Sequence, residues 1–189
     1  MKDIKVRLVT DPQELEEVYR FRYKVLIDIN RFPDSMNHET KQLEDSVDKK
    51  SYILAAFDND KMVGTLRFLK FSDILPEENK FDCRHNIFRF ENVSPKNSVE
   101  IGRYIVEKDY EKHGVGVQLM KETLILQSKY DPHVEYVFIE VYECLVPYYK
   151  FLNFKVFSDP VYVEAYNDSL VPMVLEVKDV AKQFALKKE

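Results

Sequence analysis

Glycine is almost missing. At the average usage of about 7%, a chain of this length would hold roughly 13; these 189 residues hold four, Gly64, Gly102, Gly114 and Gly116. A chain so sparing of glycine keeps each one where a side chain does not fit. Tryptophan is absent, and the two cysteines, Cys83 and Cys144, cannot make a disulfide framework. Bases are short as well, 28 Lys and Arg against 33 Asp and Glu, for a net charge of −5. That argues against a general nucleic-acid binder, which needs a dense basic face for phosphates. A small basic pocket is still allowed. No apolar run approaches the roughly 20 residues that span a bilayer. The start, Met1-Lys2-Asp3-Ile4-Lys5, lacks the apolar stretch of a signal peptide. The expectation is a cytoplasmic protein with reduced thiols.

What is present is enough for a core, with 45% hydrophobic residues. The length predicts a single domain over 1–189, with no repeat and no linker rich in Gly, Ser or Pro. A strand is expected over 4–9. Asp11-Pro12-Gln13-Glu14 then reads as N-cap, first-turn proline and N3 carboxylate, and starts a helix to about residue 27. Leu15, Val18, Tyr19, Val25 and Leu26 form its apolar stripe, and Arg22 falls in the middle of it. Strands follow over 52–57 and 62–69 around an Asp58-Asn59-Asp60 turn, then an irregular stretch over 71–98. A strand over 99–107 carries Gly102 inside it, the mark of a bulge or a close backbone approach. Gly114-Val115-Gly116 opens a helix to about residue 130, with Val117, Met120, Leu124 and Gln127 on one face. A strand over 135–141, a short helix over 147–152, a hairpin from 155–166 and 173–177, and a charged helical tail complete the order. This predicts an α/β or α+β fold, a mixed sheet with helices on its faces.

Several residues stand out chemically. Gly114 and Gly116 sit between a strand and a helix, where unpaired backbone N–H groups and the helix dipole favour an anion, and Lys112 and His113 add positive charge. An ordinary glycine loop is the competing reading. In the bulged strand, Ile101, Arg103 and Ile105 share one face, and Glu100 and Tyr104 the other. A charge between two isoleucines needs a partner, either a structural acid or a ligand. Arg22 on its stripe either snorkels or is held. Asp45 and Asp48 are turn caps or, with the misplaced arginines, part of a pocket for a zwitterion. His38, His85, His113 and His133 show no metal spacing, Cys83-Arg84-His85 is too few ligands for zinc, and no metal is expected.

This order of features resembles the GNAT acyltransferase superfamily over nearly the whole chain. Glu111-Lys112-His113-Gly114-Val115-Gly116 is similar to that fold's pyrophosphate loop, and Tyr149-Lys150-Phe151-Leu152-Asn153-Phe154 to its Tyr-x-x-x-Gly-Phe. The resemblance implies a mostly antiparallel sheet and makes Tyr149 the acid that protonates a leaving thiolate. A narrower similarity is to autoinducer (acyl-homoserine-lactone) synthases and N-acyl amino acid synthases. It rests on Arg22 in the first helix, Asp45 and Asp48 three apart, Gly64-Thr65-Leu66-Arg67, Glu100-Ile101-Gly102-Arg103-Tyr104, and Pro172-Met173, in that order.

By that resemblance Glu100 is the general base, and Arg22, Asp45, Asp48, Arg67 and Arg103 bind the substrate or order its loops. A phosphopantetheine thioester, on CoA or acyl carrier protein, would lie along Ile101, Gly102, Arg103, Tyr104 and Ile105 and meet Lys112, His113, Gly114, Val115 and Gly116 with its phosphate. Lys108, Lys112, His113 and Lys121 are either a docking patch for an acidic carrier or plain surface charge. Three readings follow: an N-acyltransferase from such a thioester to an amino acid or similar small amine, a short-chain acetyltransferase, or a thioester sensor without turnover. Acyl-chain preference separates the first two, and turnover separates both from the third.

Overall fold

The start of the chain shows how local chemistry places the first functional arginine. In the computed structural model, which describes residues 4–29 and 36–180, β1 (Ile4–Val9) leads into α1 (Pro12–Asp28). The Asp11 carboxylate accepts from the backbone N–H of Gln13 and Glu14, and Pro12 fills a position whose N–H would have no helical partner. Val18, Tyr19, Arg22 and Val25 face inward, and Arg22 is fully buried rather than snorkelled.

Down the chain come β2 (Met36–Asn37), β3 (Gln42–Leu43), β4 (Tyr52–Asp58), β5 (Lys61–Lys70), α2 (Lys80–His85) and β6 (Ser98–Val106). After them come α3 (Val115–Tyr130), β7 (Tyr136–Tyr142), α4 (Val146–Phe151), β8 (Lys155–Val156), β9 (Val161–Val163), β10 (Asp168–Glu176) and α5 (Val177–Val180). The main sheet runs β1-β4-β5-β6-β7-β10-β8, with β9 beside β10. It is mixed and mostly antiparallel; β6 and β7 pair in parallel, Ser98–Glu100 against Tyr136–Phe138. Residues 181–189 of the expected helical tail lie outside the described residues.

The described residues fall into two compact units. One is formed by those of Met1–Leu69 and Gly102–Gln127, the other by those of Lys70–Ile101 and Ser128–Glu189. In the first, Ile53–Phe57 of β4 is buried without alternation, as a central strand covered on both faces must be. Val9, Val18, Tyr19, Ile53, Ala55 and Phe57 make its core. Here α3 lies close over the sheet because Gly64 lacks a side chain. A Cβ there would meet Leu119 Cδ1 at 3.0 Å and Val115 Cγ1 at 3.3 Å. That notch turns the inward face of α3 to Val115, Leu119, Met120, Thr123 and Gln127, about a residue round from the face that periodicity alone predicts.

The second unit is built on Phe71, Phe81, Ile87 and Phe138, with Phe88, Tyr136 and Phe157 packed against them. It contains α2, which lies in the stretch the sequence pattern left irregular. Asn79 caps it by accepting from the Asp82 N–H, and Arg84 and His85 close its last turn. The final return strand also starts earlier than expected. Asn167, at φ 46°, reverses the chain into Asp168.

Candidate active site

The first unit gathers the residues that looked misplaced in sequence. Arg22 Nη1 donates to Asp48 Oδ1 at 2.9 Å. Arg67 Nη1 donates to Asp45 at 2.7 Å and lies 3.5 Å from Asp48. Arg103 Nη2 donates to the same Asp45 at 2.7 Å. The two aspartates cap their own turn as well. Asp48 Oδ2 accepts from the Asp45 N–H at 2.9 Å, and Asp45 Oδ1 from the Val47 N–H at 3.2 Å. Turn cap and ion pair are therefore the same two side chains.

Burial pushes the Asp45 carboxyl up, but the charges and hydrogen bonds of Arg67 and Arg103 outweigh it and hold Asp45 well below the usual range. Burial lowers the pKa of Arg22, against the pull of Asp48. The Tyr19 phenol, under the Arg22 guanidinium at 5.5 Å, is pushed up to about 12 by burial and by Asp48. Nε and Nη2 of Arg22 find no hydrogen-bond partner among the described residues, though the side chain is 0% exposed.

Strand β6 carries a left-handed residue in its interior, and it is Arg103, at φ 51°, one past the glycine that the sequence marks as the bulge. A non-glycine residue in this region is strained and needs its surroundings to hold it. The bond to Asp45 is one such hold. Arg103 thereby leaves the strict alternation expected with Ile101 and Ile105, both of which are buried; Tyr104 is half-buried.

Ahead of α3, Lys112 and Gly114 both take positive φ, 61° and 83°, and no atom lies within 4 Å of where a Gly114 Cβ would be. Lys112 and His113 are exposed, Val115 is buried and Gly116 half-buried. The Gly114 carbonyl accepts the first helical bond, from Gln118 at 3.0 Å. The loop is tethered by Tyr110, whose hydroxyl donates to Asp58 at 2.8 Å. An open glycine turn at the start of a 16-residue helix, preceded by the exposed Lys112 and His113, has the form that accepts an anion.

The second unit holds Glu100 and Tyr149. Glu100, half-buried, sits opposite Phe138 in the parallel register. Tyr149 is 5% exposed. Its ring meets Tyr148 at 5.2 Å and Phe154 at 5.7 Å, and burial, with a smaller contribution from Tyr148, raises its pKa. Asn153 takes φ 69° and so provides the left-handed turn that glycine gives in the Tyr-x-x-x-Gly-Phe pattern. Asparagine is among the few residues that do this cheaply.

Three residues form a cluster that the sequence reading did not assemble. Arg84 donates to Glu140 through Nε at 2.7 Å and through Nη2, and His85 Nε2 lies 2.7 Å from the same carboxylate. Burial pushes the Glu140 carboxyl up, but the His85 and Arg84 hydrogen bonds prevail and lower it. Burial pulls the Arg84 guanidinium down, and the Glu140 bonds, backed by the charges of Glu140 and Glu100, raise it. The available signal was Asn79 as a cap, an acid at 82 and two bases closing the turn. Among the described residues, no group of three or more His, Cys, Asp or Glu is placed to hold a metal ion.

The family model described as N-acyl amino acid synthase FeeM matches residues 17–176. The chain belongs to that family. Its members are N-acyltransferases, and the match spans Arg22, both aspartates, Glu100, the glycine loop and Tyr149. Solved structures share the fold. FeeM from uncultured soil microbes is 15% identical, at TM-score 0.74 over 97% of this chain and 96% of that one. BjaI, a CoA-dependent acyl-homoserine lactone synthase whose structure holds SAM and isopentyl-CoA, is 16% identical, at TM-score 0.75 over 98% and 91%. ElaA of Escherichia coli is 19% identical, at TM-score 0.64 over 92% and 99%. No curated protein matches the chain.

Proposed function

We propose that this N-acyltransferase moves an acyl group from a phosphopantetheine thioester, on CoA or acyl carrier protein, to the amine of an amino acid or similar small molecule. The whole chain works as one acyltransferase domain. The family match over residues 17–176 carries this reading, and the open glycine turn before α3 supports it. The proposed compartment is the cytoplasm, where both exposed cysteines stay thiols. Among the described residues, no helix is long and apolar enough to cross a membrane.

In the reaction a C–N bond forms and the C–S bond breaks; an acceptor bound as an ammonium first loses one proton to solvent, and a second passes from the amine to the thiolate. Glu100 takes the amine proton, directly or through a water. Backbone N–H groups of β6 near Gly102 meet the charge that develops on the carbonyl oxygen, and Ile101 to Ile105 flank the pantetheine arm. Tyr149 gives its proton to the thiolate; burial keeps that phenol protonated until then. Lys112, His113, Gly114, Val115 and Gly116 hold the phosphates. Arg22, Arg67 and Arg103 with Asp45 and Asp48 order the loops around the acceptor.

The test is thiol release from acetyl-, octanoyl- and palmitoyl-thioesters, on CoA and on carrier protein, with pooled amino acids and amines, product mass being read alongside. Release with an acylated amino acid as product supports the proposal. Acetyl preference on non-amino-acid amines moves the protein to short-chain chemistry, and tight binding without turnover makes it a sensor. Glu100→Gln is expected to lower turnover by about 10²-fold or more at an unchanged melting temperature. Near-normal turnover removes Glu100 from the mechanism.

A further inference from the structure

An amino acid offered as acceptor brings a carboxylate along with its amine, and that anion needs a cation. Arg22, Arg67 and Arg103 of the first unit already bond Asp45 and Asp48, and their side chains are 0%, 7% and 11% exposed. Arg84 is different. Glu140 holds it side-on, through Nε and Nη2. A guanidinium held by that edge keeps its end, Nη1 and the second Nη2 proton, for another planar acceptor. The Arg84 side chain is 26% exposed and that of Glu140 9%, so the glutamate is nearly covered while solvent reaches part of the arginine.

Its position relative to Glu100 follows from register. Glu100 pairs with Phe138 across parallel strands, and Glu140 lies two residues further along β7, so all three face the same side of the sheet. One strand spacing and two residues of rise put Glu100 and Glu140 roughly 8 Å apart at the backbone. His85, its side chain 1% exposed and packed against Phe81 at 4.8 Å, grips Glu140 as well and fixes the platform on which Arg84 rests.

We infer that Arg84, locked edge-on by Glu140, anchors the acceptor's carboxylate, so that an α-amino acid binds as a zwitterion with its amine toward Glu100. This rests on the amino-acid reading of the function above. The charges agree with it. Glu140 already balances Arg84, Glu100 adds a negative charge near them for the ammonium, and the acceptor's carboxylate meets the guanidinium, so the neutral zwitterion leaves the charge of the cluster unchanged. A carboxamide offers the amine without the anion.

The experiment compares an amino acid, its carboxamide and its decarboxylated amine as acceptors with one donor. The proteins are the wild type, Arg84→Lys and the double variant Arg84→Gln/Glu140→Gln, which leaves no buried carboxylate stranded. The wild type is expected to prefer the acid by about 10- to 100-fold, the worth of a hydrogen bond between charged groups. In the double variant that ratio falls to near one, mainly through KM for the amino acid, while KM for the donor holds. Arg84→Lys keeps part of it. A wild type that treats acid and amide alike, or a double variant that keeps the preference, overturns the anchor and leaves the acyltransferase reading standing. If no amine is acylated, that reading fails, and a thermal shift by the amino acid without donor tests the anchor alone. A shift that depends on Arg84 supports it, and no shift, or one the double variant retains, overturns it.

Discussion

In the first unit three arginines share two aspartates, and every bond turns inward: the side chains of Arg22 and Asp48 are both 0% exposed. In the second unit one arginine and one histidine share one glutamate, and the arginine side chain is 26% exposed. Both clusters are networks of ion pairs, but they suit opposite tasks. A guanidinium enclosed on all sides fixes whatever it touches and offers nothing to a ligand. One gripped along a single edge is just as rigid and still has donors to give. Rigidity with an open edge is what a substrate anchor requires.

The comparison breaks most visibly at Arg22. Arg22→Met takes from the fully buried Asp48 its hydrogen-bonded arginine and leaves it only Arg67 at 3.5 Å, and is expected to cost about 3 kcal/mol of stability. Adding Asp48→Leu removes the stranded charge and restores most of it. Replacing Arg84 alone should cost much less, because His85 still bonds Glu140 and solvent reaches the site. Urea unfolding of the four proteins gives the order. Equal losses at Arg22 and Arg84 would erase the distinction between a fastener and an anchor.

The two clusters also differ in how far the sequence revealed them. Arg22 and Arg103 were visible because a charge on an apolar stripe violates a period, and two aspartates three apart stood with them as a candidate pocket. The elements they sit on were equally plain, from the Asp11-Pro12 helix start to the alternation of β1. The second cluster violated nothing. Glu140 alternates with the buried Ile139 and Val141 as a solvent-facing residue would, and α2, six residues long, is too short to show a period. The left-handed residue of β6, Arg103, lay beyond the sequence pattern, which marked only a bulge or a close approach at Gly102, for a related reason. Local propensity points to Gly102, while a long-range bond to Asp45, which no local pattern contains, is made by Arg103.

Acid sharpens the contrast by a smaller amount. Asp45 and Glu140 both have folded pKa values below their ordinary ones. A depressed carboxyl contributes stability that is fully present above the unfolded pKa, about 3.9 for Asp and 4.3 for Glu, and is lost as pH falls toward the folded value. The loss is about 1.4 kcal/mol for each pH unit separating the folded and unfolded values. Asp45, under two arginines, should therefore go on losing stability to lower pH than Glu140. Urea midpoints from pH 6 down to pH 2.5 read this. Asp45→Asn is expected to flatten the steep acid limb, and Glu140→Gln only its upper part. An unchanged limb in Asp45→Asn would mean that other carboxylates carry it.

The smallest expected effect separates two left-handed residues, one in each unit. Arg103 at φ 51° is bonded to the part-buried Asp45, whereas Asn153 at φ 69° is a residue type that tolerates that region. The turn at Asn153 brings the Phe154 N–H to the Tyr149 carbonyl at 2.9 Å, so the backbone angle there sets how the tyrosine is seated. Asn153→Gly and Asn153→Ala lose the same side-chain interactions and differ in whether the new residue accepts positive φ. Alanine should therefore be the less stable of the two by about 1 kcal/mol, with a lower urea midpoint at the same slope. Equal midpoints would show that this turn relaxes out of the left-handed region, and Tyr149 would then need another constraint to hold its position.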